Sequence, residues 1–202
     1  KRFYTADVDV GVLLSGGLDS SLIVAMAEKN KLSDINTFSI GFPSLNEEAG
    51  DEFYYSDIVS KKFNTQHFKY NIDEDQLYNS LDEVIMMMPE PMVSQDSAAF
   101  YLLAKEVSQK QKVVLSGQGA DELFGGYFWY NQMLNTNGSE SHRFIQHYFD
   151  RDHDEYKKII NKKYVNKNYS LDLLNTLFSK QRDDISFIDK VLRIDLSTLI
   201  VD

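Results

Sequence analysis

The residues best suited to chemistry lie in a short loop that is rich in glycine and serine. The apolar run Val10–Leu14, typical of a buried strand, precedes this loop, and Leu22–Ala27, typical of a packed helix, follows it. The first N–H groups of a helix have no intrahelical acceptor, and the helix dipole favours an anion beside them. We therefore predict that the loop binds phosphate through backbone and hydroxyl donors. Its residues are Ser15, Gly16, Gly17, Leu18, Asp19, Ser20 and Ser21.

The loop differs from two common phosphate-binding motifs. No lysine follows Gly16 and Gly17, the Gly-x4-Gly spacing of the Walker motif is absent, and Gly-x-Gly-x-x-Gly cannot be aligned with it. Asp19 can instead hold Mg2+, and the metal would bridge phosphate oxygens and balance their charge. The alternative interpretation is a buried strand followed by a tight turn that binds no ligand.

The stretch Ser15–Ser21 resembles the pyrophosphate-binding loop of the ATP pyrophosphatases. Enzymes of that class adenylate a carboxyl or carbonyl oxygen and release pyrophosphate. The resemblance therefore implies ATP as the nucleotide and Mg2+ as its counter-ion.

A second stretch repeats the pattern of a short apolar strand, a glycine loop and acidic residues. The run Lys112–Leu115 leads into Ser116–Tyr127, where Gly117 allows close backbone approach and Asp121 adds a carboxylate. We predict that Asp19 and Asp121 hold Mg2+ together. The alternative for Asp121 is a helix-start charge that complements the dipole.

The elements between these loops alternate between strand and helix, which favours a parallel sheet with crossover helices. Ligands then bind beyond the carboxyl ends of the strands, where Ile40 and Gly41 could line an adenine slot. The stretch Gly41–Gly50 is predicted as a loop, and Glu90 and Asp96 flank an irregular turn. The predicted strands are 8–14, 36–40, 66–70 and 112–115. The predicted helices of the first part include 20–29, 51–63 and one that is capped by Asp73 or Asp75. A linker is predicted at 135–139, and the helices predicted after it are 142–149, 155–163, 171–180 and 185–196.

Four stretches taken together resemble the synthetase domain of the glutamine-dependent asparagine synthetases. They are Ser15–Ser21, Phe38–Phe42, Glu90–Ala98 and Ser116–Tyr127. The resemblance implies an adenine nucleotide alpha hydrolase-like, Rossmann-like α/β domain over 1–130, with helices on both faces of the sheet and a helical extension over 131–202. It further implies adenylation of the aspartate side chain, then displacement of AMP by ammonia from a glutaminase domain. The implied catalytic residues are Asp19, Gln118 and Asp121, and two of these, Asp19 and Asp121, are the implied metal ligands. The implied nucleotide-binding residues are Leu14, Ser15, Gly16, Gly17, Leu18, Asp19, Ser20, Ser21, Ile40, Gly41, Ser116 and Gly117.

Three departures limit this resemblance. Gln118 stands where asparagine-forming members usually carry glutamate, so the acceptor could be another small carboxylate, or the domain could bind nucleotide without turnover. No cysteine is present, so this chain cannot supply the glutaminase nucleophile. The sequence ends at Asp202 without a helix stop, which we interpret as the end of a fragment of a larger synthetase.

Composition narrows the possible partners. The net charge of −10 argues against nucleic acid, because phosphate-backbone binding needs clustered lysine and arginine. No run is long and apolar enough to cross a membrane, so a cytoplasmic location is expected. Apolar area on the C-terminal helices could favour association, including a homodimer. His67, alone within a predicted strand, is expected to make a structural or ligand-edge hydrogen bond rather than to act as a base.

Overall fold

The computed structural model describes residues 8–30, 34–42, 53–89 and 96–198. The chain divides into two compact units, one ending at Gly117 and the other beginning at Gln118. Most of the predicted loop after the second strand, residues 43–50, lies outside the described residues, as does Glu90. The assignment of domains to 1–130 and 131–202 stays a prediction.

The first unit contains a sheet of four parallel strands in the order β3-β2-β1-β4. They are β1 (Val10–Leu13), β2 (Asn36–Gly41), β3 (Gln66–Asn71) and β4 (Val113–Leu115). Val12 pairs with Thr37 on one side and Leu115 on the other, which makes β1 an inner strand. The predicted parallel α/β class is therefore confirmed, with the four strands close to their expected positions.

Helices cover both faces of this sheet because side chains alternate along each strand. Val12 and Leu14 pack on one face with α1 (Leu18–Lys29) and α2 (Phe53–Phe63). Phe38 packs on the other face with Leu103 and Val107 of α4 (Asp96–Ser108). Helix α3 (Glu74–Met87), which lies between α2 and α4 in the sequence, begins with a capping box. The Asp73 carboxylate accepts a hydrogen bond from the Gln76 N–H, and the Gln76 side-chain oxygen accepts one from the Asp73 N–H.

The second unit is helical in its described residues. Its helices are α5 (Ala120–Phe124), α6 (Phe128–Leu134), α7 (Glu140–Tyr148), α8 (His153–Ile159), α9 (Tyr169–Ser179) and α10 (Phe187–Thr198). The core combines one or two buried residues from each of several helices, namely Tyr130, Met133, Phe144, Leu174, Phe178, Val191 and Ile194. The predicted helical extension is thus confirmed, although α8 ends four residues before the predicted end and a 3-10 turn follows at Lys162–Tyr164. No helix in the described ranges is long and apolar enough to cross a membrane.

Two acidic side chains are buried within this helical unit. Asp195 on α10 is fully buried and accepts a hydrogen bond of 2.7 Å from the Tyr130 hydroxyl. Glu122 on α5 is buried and accepts one of 2.9 Å from Tyr127. Burial raises the pKa of Asp195 to about 6, Glu122 acts in the same direction, and the Tyr130 hydrogen bond opposes both.

This raised pKa predicts that replacing Asp195 by asparagine stabilises the protein near neutral pH. A folded-state pKa above the usual 3.8 means that the carboxyl group favours folding below pH 3.8 and that this contribution is lost as the pH rises past about 6. We expect Asp195→Asn to raise the free energy of unfolding by about 2 kcal/mol at pH 7.5 and by nothing measurable at pH 4. Denaturant unfolding at both pH values measures this, with the exposed Asp183→Asn as control. An equal effect at both pH values would contradict the prediction.

Candidate functional site

The loop between β1 and α1 is held by its own serine hydroxyls. The Ser20 hydroxyl donates to the Gly17 carbonyl at 3.2 Å, and the Gly17 N–H donates to the Ser15 hydroxyl oxygen at 3.1 Å. The two hydroxyl oxygens lie 3.0 Å apart. Ser20 is buried, whereas Ser15 and Gly17 are exposed. The buried Ser20 hydroxyl thus anchors the loop to the interior, while Ser15 and Gly17 remain exposed.

Packing of the loop against α2 requires a glycine at position 16. Its φ of +89° lies in the left-handed region, and an added Cβ would lie 2.5 Å from Tyr55 Cβ and 2.6 Å from Ser56 N. The loop therefore rests directly on the first turns of α2. Among the described residues, an added Cβ on Gly17 would meet only the Ser15 hydroxyl oxygen, at 3.3 Å. Of the two glycines, Gly17 is therefore the less crowded by the described residues.

Helix α1 begins directly after Gly17, two residues earlier than predicted. Gly17 is its N-cap and supplies no side-chain hydrogen bond. The first intrahelical bond joins the Ser21 N–H to the Gly17 carbonyl, so the preceding N–H groups are donors that a bound anion could use. The Ser21 hydroxyl oxygen is buried and has no partner among the described residues. Leu18 is 83% exposed, and Asp19 is half-buried.

The loop after β4 reaches the same helix start. An added Cβ on Gly117 would lie 3.0 Å from the Ser20 nitrogen and 3.2 Å from Asp19 Cβ. Ser116, just before it, is exposed. Two strand-end loops that are far apart in the sequence therefore meet at α1, as the parallel pairing of β1 with β4 requires.

The predicted adenine-slot residues lie at the carboxyl end of β2, on the other side of β1. Ile40 is half-buried and packs with the cluster around Phe38. Gly41 is buried, and its carbonyl accepts a 3.0 Å hydrogen bond from the Ile72 N–H. Both residues are at the expected edge of the sheet, and their contact with adenine stays a prediction.

Gln118 and Asp121 belong to the second unit. Gln118 is exposed and Asp121 is half-buried. An added Cβ on Gly126 would lie 2.0 Å from Asp121 Oδ1, so the carboxylate lies directly over that glycine. The described part of the chain contains no group of three or more histidine, aspartate or glutamate residues that could hold a metal. Metal binding by Asp19 and Asp121 stays a prediction.

His67 lies in a buried hydroxyl network that sequence reasoning did not identify. Its Nδ1 is 2.9 Å from the Thr37 hydroxyl, and its Nε2 is 3.2 Å from the Ser56 hydroxyl and 3.4 Å from that of Ser39. Burial lowers the pKa of the imidazole below its usual value of 6.5, and the carboxylate of Asp57 opposes this. The polar alternation of Thr37 and Ser39 within an otherwise buried strand was the available signal.

The fold defines a parallel α/β protein whose Ser15–Ser21 loop follows an inner strand at the carboxyl edge of the sheet. Anion binding by this loop stays a prediction. The chain belongs to the asparagine synthase family, whose model matches residues 1–202.

Individual relatives agree with this assignment but are much longer. A Methanocaldococcus jannaschii protein assigned as a glutamine-hydrolyzing asparagine synthetase is 42% identical over 123 residues, which are 60% of this chain and 23% of the relative. Asparagine synthetase 3 of Bacillus subtilis is 29% identical over 187 residues, or 87% of this chain and 30% of the relative. The chain thus spans less than a third of either protein. An NH3-dependent NAD synthetase of Campylobacter jejuni, solved with nitrate, has a TM-score of 0.46 and 16% identity over 98% of this chain and 88% of that one.

The contrast between the two loop glycines gives a direct test of the packing. Gly16→Ala places a Cβ against α2 at a left-handed φ, so we expect it to lower the free energy of unfolding by about 3 kcal/mol. Gly17→Ala, at φ −65° and with only the Ser15 hydroxyl near it among the described residues, should change the free energy of unfolding by less than about 1 kcal/mol. Urea denaturation of the two variants measures this difference. Equal losses would show that the loop does not rest on α2 in this way.

Proposed function

We propose that the protein of which this chain forms the synthetase part catalyses ATP-dependent amide formation. The observation that carries the proposal is the meeting of the Ser15–Ser21 loop and Gly117 at the start of α1, in a member of the asparagine synthase family. By the family's name, the acceptor is aspartate and the product is asparagine. The ammonia comes from a glutaminase domain, and a homodimer is a possible assembly.

The reaction proceeds in two displacements. A carboxylate oxygen of the acceptor attacks the α-phosphorus of ATP, and the bond to pyrophosphate breaks. Ammonia then attacks the carbonyl carbon of the acyl-adenylate, loses a proton and expels AMP to give the amide. Adenylation is needed because the oxygen of a free carboxylate is a poor leaving group.

In this proposal the Ser15–Ser21 loop binds the pyrophosphate end of ATP. Its donors are the N–H groups at the start of α1, with the hydroxyls of Ser15 and Ser21 beside them. The loop's own hydrogen bonds already hold Ser15, Gly17 and Ser20, so the helix-start N–H groups need little rearrangement when charge develops on the leaving group. The proposed nucleotide-binding set is completed by Leu14, Leu18, Ile40, Gly41 and Ser116.

Mg2+ is proposed as the counter-ion of the phosphates. Asp19 carries a half-buried carboxylate within the first turn of α1, beside the proposed phosphate donors. Mg2+ is commonly held by one or two protein carboxylates together with substrate phosphates, so Asp19 alone or with Asp121 suffices chemically. When bound, the metal would offset the negative charge of the departing pyrophosphate.

Gln118 favours a second candidate within the same class. An amide keeps the shape of glutamate but cannot hold or lose a proton at neutral pH, and this side chain is exposed. An acceptor other than aspartate, or nucleotide binding without turnover, would be compatible with this replacement.

Pyrophosphate release from MgATP separates these candidates. We expect the full-length protein with added ammonia to release pyrophosphate only when a suitable carboxylate is present, with aspartate as the first acceptor to test. A panel of small carboxylates then identifies another acceptor if aspartate is inactive. If the protein binds MgATP but releases no pyrophosphate with any carboxylate, the alternative of nucleotide binding without turnover is supported.

The metal proposal predicts a charge effect limited to one end of β1. Asp19→Asn should weaken MgATP binding about tenfold or more, because it removes a ligand from the metal-phosphate complex. Asp9→Asn removes the same charge just before β1, at the opposite edge of the sheet, and should change binding less than twofold. Calorimetric titration with and without Mg2+ measures both. An Asp19→Asn variant that keeps its Mg2+-dependent affinity would refute the assignment.

A further inference from the structure

We propose that His67 is a positioning residue for the phosphate loop, acting through the hydroxyls of Ser39 and Ser56. The imidazole lies between β2, β3 and α2, and its side chain is 8% exposed. It does not touch the loop itself. It contacts instead two groups on which the loop depends, one at the end of β1 and the other at the start of α2. The phosphate ligand in this proposal rests on the proposed function, whereas the effect on the loop does not.

The first contact reaches the loop through Ser39. The Ser39 hydroxyl donates a short hydrogen bond to the carbonyl of Leu14, the residue that leads from β1 into the loop. The same hydroxyl oxygen lies 3.4 Å from His67 Nε2. Leu14 also donates its N–H to the Phe38 carbonyl at 2.8 Å, so β2 holds both polar backbone groups of this residue. His67 limits where the Ser39 side chain can lie.

The second contact reaches the loop through α2. The Ser56 hydroxyl lies 3.2 Å from His67 Nε2, and the Ser56 backbone nitrogen is one of the atoms on which Gly16 rests. Ser56 is fully buried and also hydrogen-bonds the Phe53 carbonyl at 3.1 Å. Anchoring the start of α2 therefore fixes the surface beneath Gly16.

The hydroxyls on the other side of the ring bind its Nδ1 atom and continue away from the loop. The Ser60 hydroxyl donates to the Thr65 carbonyl, and the Thr65 hydroxyl donates to Ser60 at 3.0 Å. The Thr37 hydroxyl then donates to Thr65 at 2.8 Å and must accept from His67 Nδ1 at 2.9 Å. In the neutral ring Nε2 is then an acceptor, and it shares the single hydroxyl proton of Ser56 with the Phe53 carbonyl.

The charged groups around the ring also favour its neutral form. Asp57 of α2 lies 3.8 Å from Nε2, but both its oxygens bind Lys69 of β3, at 3.0 and 3.1 Å. The ammonium group offsets the carboxylate that would otherwise stabilise an imidazolium. The ring therefore remains an uncharged hydrogen-bonding spacer between β2 and α2.

Two amide replacements separate the two sides of the ring. Asparagine can replace the Nδ1 donor to Thr37 but does not reach Ser56, whereas glutamine reaches the Nε2 position and can accept from Ser56. We expect His67→Asn to reduce the {1H}-15N NOE of the Gly16 and Gly17 amides and to weaken binding of magnesium pyrophosphate about fivefold to tenfold. His67→Gln should keep both within twofold of the unsubstituted chain. Both measurements use the whole chain.

Thr65→Ala is the matched control, because it breaks the network on the side away from the loop. It should lower the melting temperature while leaving the NOE values and pyrophosphate affinity unchanged. If His67→Asn does not fold, Ser39→Ala tests the same contact to Leu14 and should also lower the NOE values. Unchanged loop NOE values, or equal effects of His67→Asn and Thr65→Ala at equal melting temperature, would overturn the proposal. If the unsubstituted chain binds no pyrophosphate, the proposed function fails while the NOE comparison still decides the role of His67.

Discussion

The candidate site depends on the close approach of backbone segments at the carboxyl edge of one inner strand. The loop after β1 rests on α2 at Gly16, and the loop after β4 rests on α1 at Gly117. Because β1 pairs in parallel with both β2 and β4, the loops that follow β1 and β4 leave the sheet at the same edge. Small residues are needed here before any ligand is considered, since a Cβ at Gly16 would overlap its neighbours.

This packing separates two roles that the loop sequence combines. The sequence predicts that Gly16 and Gly17 both admit a ligand, because glycine in a phosphate loop usually permits close approach. In the structure an added Cβ on Gly16 would overlap α2, whereas among the described residues one on Gly17 would meet only the Ser15 hydroxyl oxygen. The distinction depends on Tyr55 and Ser56, which lie about forty residues further along the chain, so no local pattern could reveal it.

The class of the fold and the position of the loop were predictable because they depend on local signals. Apolar runs followed by glycine and serine identified β1 and β4, and the choice of Asp73 or Asp75 as a cap located the start of α3, which the structure assigns to Asp73. Helix ends were less accurate, as in α8, where the local sequence continues without a strong stop. The helix start expected at Asp121 and Glu122 is present as α5, whereas α6 was missed because a dense aromatic run such as Tyr127–Tyr130 has no helical periodicity of its own. The stability of α6 comes from contacts such as that of Tyr130 with Asp195, which are distant in sequence.

The hydroxyl network around His67 follows from an unavoidable problem at the end of a strand. Where the chain turns out of β1 to form the loop, the Leu14 carbonyl is no longer part of the regular ladder and still needs a donor. Ser39 meets that need from the neighbouring strand. The hydroxyl oxygen of a buried serine, however, also needs hydrogen-bond partners. His67, which lies near the hydroxyls of both Ser39 and Ser56, adds further polar groups to the same buried region. An apolar replacement of these residues would improve local burial but leave the Leu14 carbonyl unpaired at the point where the loop begins. The polar interior is therefore best explained as the cost of holding a tightly bent loop against a sheet.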